Sequence, residues 1–238
     1  MTLVDIGSTE DLTDEVLAEL NAKFEAMSAG DIVRWAVERF HPHLCLTASM
    51  TDAVLIDVAT NVEPSIEVVF IDTGYHFRET LATLEHVRYR YGLNLRIMTV
   101  PAAQVPLWQA DPVNCCAQFK IRQLDRALAG KLAWMSGLRR GESASRRAAP
   151  IVSRDRRGLV KVNPLANWTD LDVEGYIVDH DVPVNPLVGK GYPSIGCWPC
   201  TRAVIPGEDV RAGRWAGQAK TECGLHDEVS GHGLRTGS

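Results

Sequence analysis

Apolar residues recur every three to four positions across Leu12–Met27 and again across Ile32–Phe40, the period of two amphipathic helices. Ser28 with Asp31 gives the second a capping start. The pattern then changes. Leu44-Cys45-Leu46-Thr47 is a short unbroken apolar run, followed by the polar turn Ala48-Ser49-Met50-Thr51 and a helix from about Asp52 to Asn61. Glu67-Val68-Val69-Phe70-Ile71 reads as a second buried strand that ends at Asp72-Thr73-Gly74. A helix over Phe77–Tyr91 and a strand over Leu93–Val100 come next. Cys115 and Cys116 begin or precede a helix running through Ala129, Leu132–Ser136 is a further strand, and Ile151–Ser153 with Leu159–Val162 forms a hairpin. Thr169–His180 is a helix capped by Thr169, and beyond Asn185 the periodicity fades into Gly- and Pro-rich chain. Strand and helix alternate at βαβ spacing, which predicts an α/β fold: an open, mostly parallel twisted sheet flanked by helices on both faces.

With 238 residues, 45% of them hydrophobic, the chain can bury one good core. The expected organisation is N-terminal helices packed on that core (1–40), the α/β unit itself (41–205) and a mobile C-terminal arm (206–238). A net charge of −5 gives no general basic field, so no nucleic-acid partner is expected. The charge is uneven, however: seven arginines fall between Arg139 and Arg157. They read either as a solvated, salt-bridged loop or as a local anion site, since arginine offers a planar fork to phosphate. No apolar run approaches the roughly 18 residues of a membrane span, and the acidic N-terminus lacks a signal-peptide core. Both point to the cytoplasm, where paired cysteines more often bind metal or do redox work than form disulfides.

Candidate chemistry sits at two kinds of position. In an open parallel sheet, ligands bind at the carboxyl ends of the strands. There the chain carries Ser49, Thr51 and Asp52 after the first strand and Asp72, Thr73 and Gly74 after the second. A hydroxyl-rich turn leading into a helix N-terminus can cradle an anion, although Ser and Thr cap helices routinely, and neither a Walker loop nor a Rossmann glycine motif is present. The six cysteines are the sharper signal. Cys115-Cys116 and Cys197-Trp198-Pro199-Cys200 supply four sulfurs, enough for tetrahedral zinc or an iron–sulfur cluster. Adjacent residues diverge from a short backbone step, which suits two irons of a cluster better than one ion, and unrelated buried thiols remain an alternative. Cys45 lies within an apolar strand and reads as core. Cys223, in Glu222-Cys223-Gly224-Leu225-His226, stands alone.

Taken in order, these pieces resemble one family. They are Thr47-Ala48-Ser49 with Asp52, Phe70 to Phe77 with Glu79-Thr80, Cys115-Cys116 with Lys120, and Gly137-Leu138-Arg139-Arg140. Lys161 to Leu165 with Trp168-Thr169 and Val184 to Leu187 follow, then Gly191 to Cys197 with Cys200, Gly213-Arg214-Trp215 and Lys220 to His226. The chain is similar, over roughly residues 40 to 226, to adenosine 5′-phosphosulfate reductases, the iron–sulfur branch of the assimilatory sulfonucleotide reductases. The resemblance implies an adenine nucleotide alpha hydrolase-like fold and reduction of adenosine 5′-phosphosulfate to sulfite and AMP, with thioredoxin as reductant. It implies one 4Fe–4S cluster on Cys115, Cys116, Cys197 and Cys200, and Cys223 as a nucleophile that becomes S-sulfonated. It implies substrate binding by the Ser49–Asp52 turn and by Lys120, Arg139, Arg140, Arg211 and Arg214. His226 either assists proton transfer or packs the arm, and a homo-oligomer is left open. One departure stands out: Phe119 occupies the place, directly before Lys120, where the family usually has a basic residue, and Arg122 is the nearest substitute. The competing readings are a reductase of the 3′-phosphorylated substrate, an ATP-using adenylating or tRNA-thiolating enzyme with structural zinc, and a metal-stabilised binding protein.

Overall fold

The computed structural model describes residues 8–100 and 107–215. Two N-terminal helices come first, α1 (Asp14–Phe24) and α2 (Ala29–Phe40), capped by the hydroxyls of Thr13 and Ser28, which accept from Val16 N and Asp31 N. Both begin and end within a few residues of the expected positions. Phe24, Ile32, Val33 and Phe40 are buried in the same core as Leu44, Leu46 and Val68, so the helices complete the main core rather than forming one of their own.

Six strands form one sheet: β1 (Leu44–Thr47), β2 (Glu67–Asp72), β3 (Asn94–Thr99), β4 (Ala133–Ser136), β5 (Val152–Arg154) and β6 (Val160–Val162), in the order β3-β2-β1-β4-β6-β5. Every pairing is parallel except β5 with β6, the hairpin at one edge. The helices α3 (Val54–Val62) and α4 (Arg78–Tyr91) connect β1 to β2 and β2 to β3. The sheet therefore grows outward from β1 in one direction, and the chain then returns to place β4 on the other side of β1. That reversal is a switch point, where the loops leaving β1 and β4 diverge and open a crevice. The strands on either side are apolar up to their last residues, Thr47 and Ser136; Leu44, Cys45, Leu46, Ala133, Trp134 and Met135 are all buried, as expected of strands covered on both faces.

The edge strand β5 is covered by one side chain. Asn21 of α1 accepts from the backbone N–H of Ile151 (2.8 Å) and Val152 (3.0 Å) and donates to Val152 O (2.7 Å), so part of an open ladder is satisfied by an amide.

The single helix expected from the cysteine pair to Ala129 is broken into parts. The short α5 (Leu107–Ala110) and α6 (Pro112–Cys116) lead into one wide π turn over Ala117–Ile121 and then α7 (Arg122–Ala127). Periodicity alone does not register that local change of pitch. Helix α8 (Asp170–His180) is capped by Thr169 as expected, with Asp172 closing the box back onto Thr169 N (2.7 Å). No described helix is long and apolar enough to cross a membrane.

Candidate active site

A cavity of about 250 Å³ opens at the switch point, lined at its floor by Thr47 of β1 and Ser136 of β4. The turn after β1 forms one wall and contributes Ser49, Thr51 and Asp52. The turn is stiff because buried side chains hold it. Met50 takes a left-handed backbone (φ 62°) and is fully buried. Asn185, also fully buried, donates to Met50 O (3.0 Å) and to the Thr80 hydroxyl (3.1 Å), while its backbone N–H donates to Thr51 O (2.9 Å). Just before α3, Asp52 accepts from Val54 N (3.1 Å), which tightens the turn into the helix. Burial raises its carboxyl above the ordinary range, against the pull of that backbone N–H and of Arg139.

The opposite wall is cationic. Arg139 lines the cavity while bonded to Asp170 at the start of α8 (2.7 Å). Arg211 and Arg214 enter from the far end of the described chain. Arg214 donates to Ile195 O (3.1 Å) and the Ser194 hydroxyl (3.3 Å), lying so close to Gly196 that a β-carbon there would overlap the guanidinium. Two residues not singled out from sequence complete this wall: Arg146 and Glu142, paired at 2.5 Å. Their i, i+4 spacing was the available signal, but seven arginines crowd that loop and spacing does not say which one turns inward. Arg140 does not line the cavity. It makes a two-pronged pair with Glu25 of α1 (3.0 and 2.6 Å) and donates through Nε to Ala149 O (2.8 Å), which ties the arginine loop to the N-terminal helices.

His76 also lines the cavity. Its Nε2 lies 2.9 Å from Ile71 O, its ring sits against Phe70, and burial, reinforced by nearby Lys120, lowers its basicity.

A second, smaller cavity adjoins the first and is lined by Cys115, Cys116, Cys197 and Cys200. The π turn explains how neighbouring cysteines reach one space together with the residues that follow. A wider turn brings positions four and five residues on beneath the starting pair, and Phe119 and Lys120 accordingly line the same cavity as Cys115 and Cys116. Thr73 lies here rather than in the larger cavity; its hydroxyl is 3.3 Å from Cys197 Sγ and accepts from Tyr75 N (3.2 Å). Asp72 accepts from Gly74 N (2.8 Å), with Gly74 in the left-handed region (φ 73°) that a residue with a side chain would resist. The Asp72–Gly74 turn thus shapes the cysteine site, and Trp198 N donating to Tyr75 O (2.8 Å) fastens the C-x-x-C loop onto it. Phe119 is buried edge-on against Tyr75, and Arg122 is exposed on α7 and lines neither cavity.

All five described cysteines are free thiols. Burial, then the neighbouring Cys116, Cys197 and Cys200, push Cys115 up to about 11, which favours its neutral thiol. Cys45 is pushed up to about 12 by burial and belongs to the core. Among the described residues, no group of three or more His, Cys, Asp or Glu is disposed to hold one metal ion. Lys120 lines both cavities and is the physical link between them. Cys223 and His226 lie outside the described residues.

Residues 42–203 match the family described as phosphoadenosine phosphosulfate reductase domain. A Streptomyces coelicolor protein named adenosine 5′-phosphosulfate reductase is 46% identical over 95% of this chain and 100% of its own length. One of the same name from Mycolicibacterium smegmatis is 44% identical over 92% of this chain and 97% of its own. Among solved structures, a phosphoadenylyl-sulfate (PAPS) reductase from Candida auris, in a phosphate complex, superposes with a TM-score of 0.72 at 28% identity, covering 83% of this chain and 100% of that one. The Candida glabrata FMN adenylyltransferase shares the fold alone (TM-score 0.56, 12% identity, 79% of this chain and 73% of that one). A parallel sheet with its crevice at the switch point is common to such folds, whereas identity above 40% over more than nine-tenths of the chain is not. The chain belongs to the phosphoadenosine phosphosulfate reductase domain family and groups within it with the adenosine 5′-phosphosulfate reductases.

Proposed function

We propose that the chain reduces adenosine 5′-phosphosulfate to sulfite and AMP, using Cys223 as nucleophile and thioredoxin as reductant. The observation that carries the reading is the pair of adjoining cavities that share Lys120: a nucleotide-sized cleft walled by Arg139, Arg146, Arg211 and Arg214, and a second space lined by four free cysteines.

The cleft divides its work by chemistry. The Ser49–Asp52 turn offers hydroxyls and a helix start to the nucleotide, and the arginines offer fixed donors to phosphate and sulfonate oxygens. The Cys223 thiolate attacks the sulfonate sulfur, the bond from that sulfur to the bridging oxygen breaks, and AMP leaves with the bonding pair. Donors already in place stabilise the charge that builds on the leaving oxygen; losing one such donor typically slows a reaction by roughly 100- to 1000-fold. A thioredoxin thiolate then attacks the Cys223 sulfur, sulfite departs, and the second thioredoxin thiol resolves the mixed disulfide, so the electron pair comes from the dithiol.

Cys115, Cys116, Cys197 and Cys200 would hold a 4Fe–4S cluster. They suit several irons better than one, since Cys115 and Cys116 diverge from a single short backbone step while all four sulfur-bearing residues line one cavity. The cluster would offset part of the charge of its four thiolates and lend rigidity beside Lys120. Cytoplasmic location belongs to the same proposal, supported by cysteines that remain unpaired.

The test is to incubate anaerobically purified protein with adenosine 5′-phosphosulfate, without thioredoxin, and to weigh the intact chain beside Cys223→Ser. One sulfonate adduct is expected on the native chain, absent from the variant and discharged by reduced thioredoxin. An iron-loaded protein that forms no adduct overturns the reading.

A further inference from the structure

The end of the described chain doubles back on the C-x-x-C loop. Thr201 pairs antiparallel with Arg214, Arg202 N donates to Gly213 O (3.0 Å), and Trp215 N donates to Cys200 O (2.9 Å). The strap is so tight that a β-carbon on Gly213 would overlap the Arg202 carbonyl, and only glycine fits. It ends in Trp215, which is 2% exposed and holds a left-handed backbone (φ 51°). A bulky residue keeps that conformation only where its surroundings over-determine it. Those surroundings come from both cavities. The indole packs with Cys116 and Cys200, and it carries the Arg214 guanidinium 4.6 Å from a ring centroid and that of Arg211 at 5.8 Å.

We propose that Trp215 is a positioning residue, a plate that sets Arg211 and Arg214 for the anionic oxygens of a bound nucleotide and couples them to the cysteine site. This rests on the reading that the four cysteines hold a cluster. Arginine stacked on indole is confined to the plane of the ring face and loses little further freedom when it binds an oxyanion. The plate is itself fixed by two of the four cysteines, so its position depends on where their sulfurs are held. Coupling of this kind is reciprocal: whatever orders the arginines also reports at the cysteines. The route is separate from Lys120, which reaches both cavities directly.

The test uses the iron-loaded chain and AMP as probe, measuring AMP affinity by calorimetry, iron content, and the change that AMP causes in the visible absorption of the cluster. Trp215→Ala is expected to weaken AMP binding about 10-fold, the scale of a desolvated cation–π contact. The same change in an Arg214→Ala background should cost less than about 2-fold, because the two residues act as one unit. The AMP-induced absorption change should vanish in Trp215→Ala and persist in Trp215→Phe, which keeps a ring face. If Trp215→Ala fails to retain iron, Trp215→Phe and Arg214→Lys decide: the first should hold AMP within a few-fold of native, and the second, charged but not planar, should lose both affinity and absorption change. Additive losses, or an absorption change that survives in Trp215→Ala and disappears in Lys120→Ala, would overturn the proposal while leaving the cluster reading intact. A native chain without iron would overturn the cluster reading, and this proposal with it.

Discussion

The two cavities share a wall and a lysine, yet they are built on different principles. The nucleotide-sized cleft hangs from regular structure: its floor is the ends of β1 and β4, and its turn is locked by Asn185 and the start of α3. The cysteine cavity has almost no regular structure behind it. It is assembled from the five-residue α6 and the π turn after it, a three-residue turn at Trp198–Cys200, the Asp72–Gly74 turn and a strap. A crevice at a switch point survives without its ligand, because sheet pairing and core packing hold it open. Four thiols gathered from one short helix and a loop have less such support, and a group that they bound would become part of what folds them.

That contrast is open to direct attack. The largest effect should come from Cys197→Ser, which is expected to remove iron and cut turnover by more than about 100-fold, the upper range for disturbing a metal's surroundings. AMP binding should fall far less, since most of the cleft stands on the sheet; iron analysis with calorimetry checks both. Equal loss of AMP binding and turnover would show that the cleft depends on the cysteines throughout. Asn185→Ala should do the opposite. It leaves Met50 O and the Thr80 hydroxyl unpaired in the core, costing about 2–3 kcal/mol. Denaturant unfolding should register that cost along with weaker AMP binding, while iron content stays unchanged.

Arg140→Ala sets the lower bound. Arg140 is bonded to Glu25 and Ala149 rather than facing the cleft, so AMP affinity should stay within about 2-fold and stability should drop by about 1 kcal/mol at most, the pair being partly exposed. The bond to Arg140 holds the Glu25 carboxyl below its ordinary range. A depressed carboxyl contributes stability above its unfolded value, near 4.3, and the contribution is lost as pH falls through the folded value. The variant's stability should therefore converge on the native chain's below about pH 4, and urea melts across that range will show whether it does.

Much of the cleft was legible from residues alone, and the reason is local. Leu44–Leu46 is apolar at every position before Thr47 and a polar turn, and Thr169 announces its helix by capping it; each signal lies at the element it predicts. What failed to show depends on distant chain. Whether Arg140 or Arg146 turns inward is decided by Glu25 and Glu142, one of them more than a hundred residues away. The Asp72–Gly74 turn reads as a phosphate cradle until the C-x-x-C loop is seen to lie on it. The break in the helix after Cys116 leaves no mark in the apolar pattern, because a π turn merely carries one residue more than an α turn. Phe119 was visible as a departure, but its burial against Tyr75 was not.

The same turn has a consequence for how the gene can change. An α helix advances roughly 100° per residue. Deleting one residue between Cys116 and Lys120 would restore ordinary pitch and make a smoother helix, keeping the chain's composition and charge almost intact. It would also narrow the turn beneath the cysteine pair, because the α turn that replaces it carries one residue fewer. Point substitutions can alter this site by degrees, but a single-codon deletion in that stretch removes the wide turn itself, and lineages of this enzyme should conserve the count of residues there more strictly than their identities.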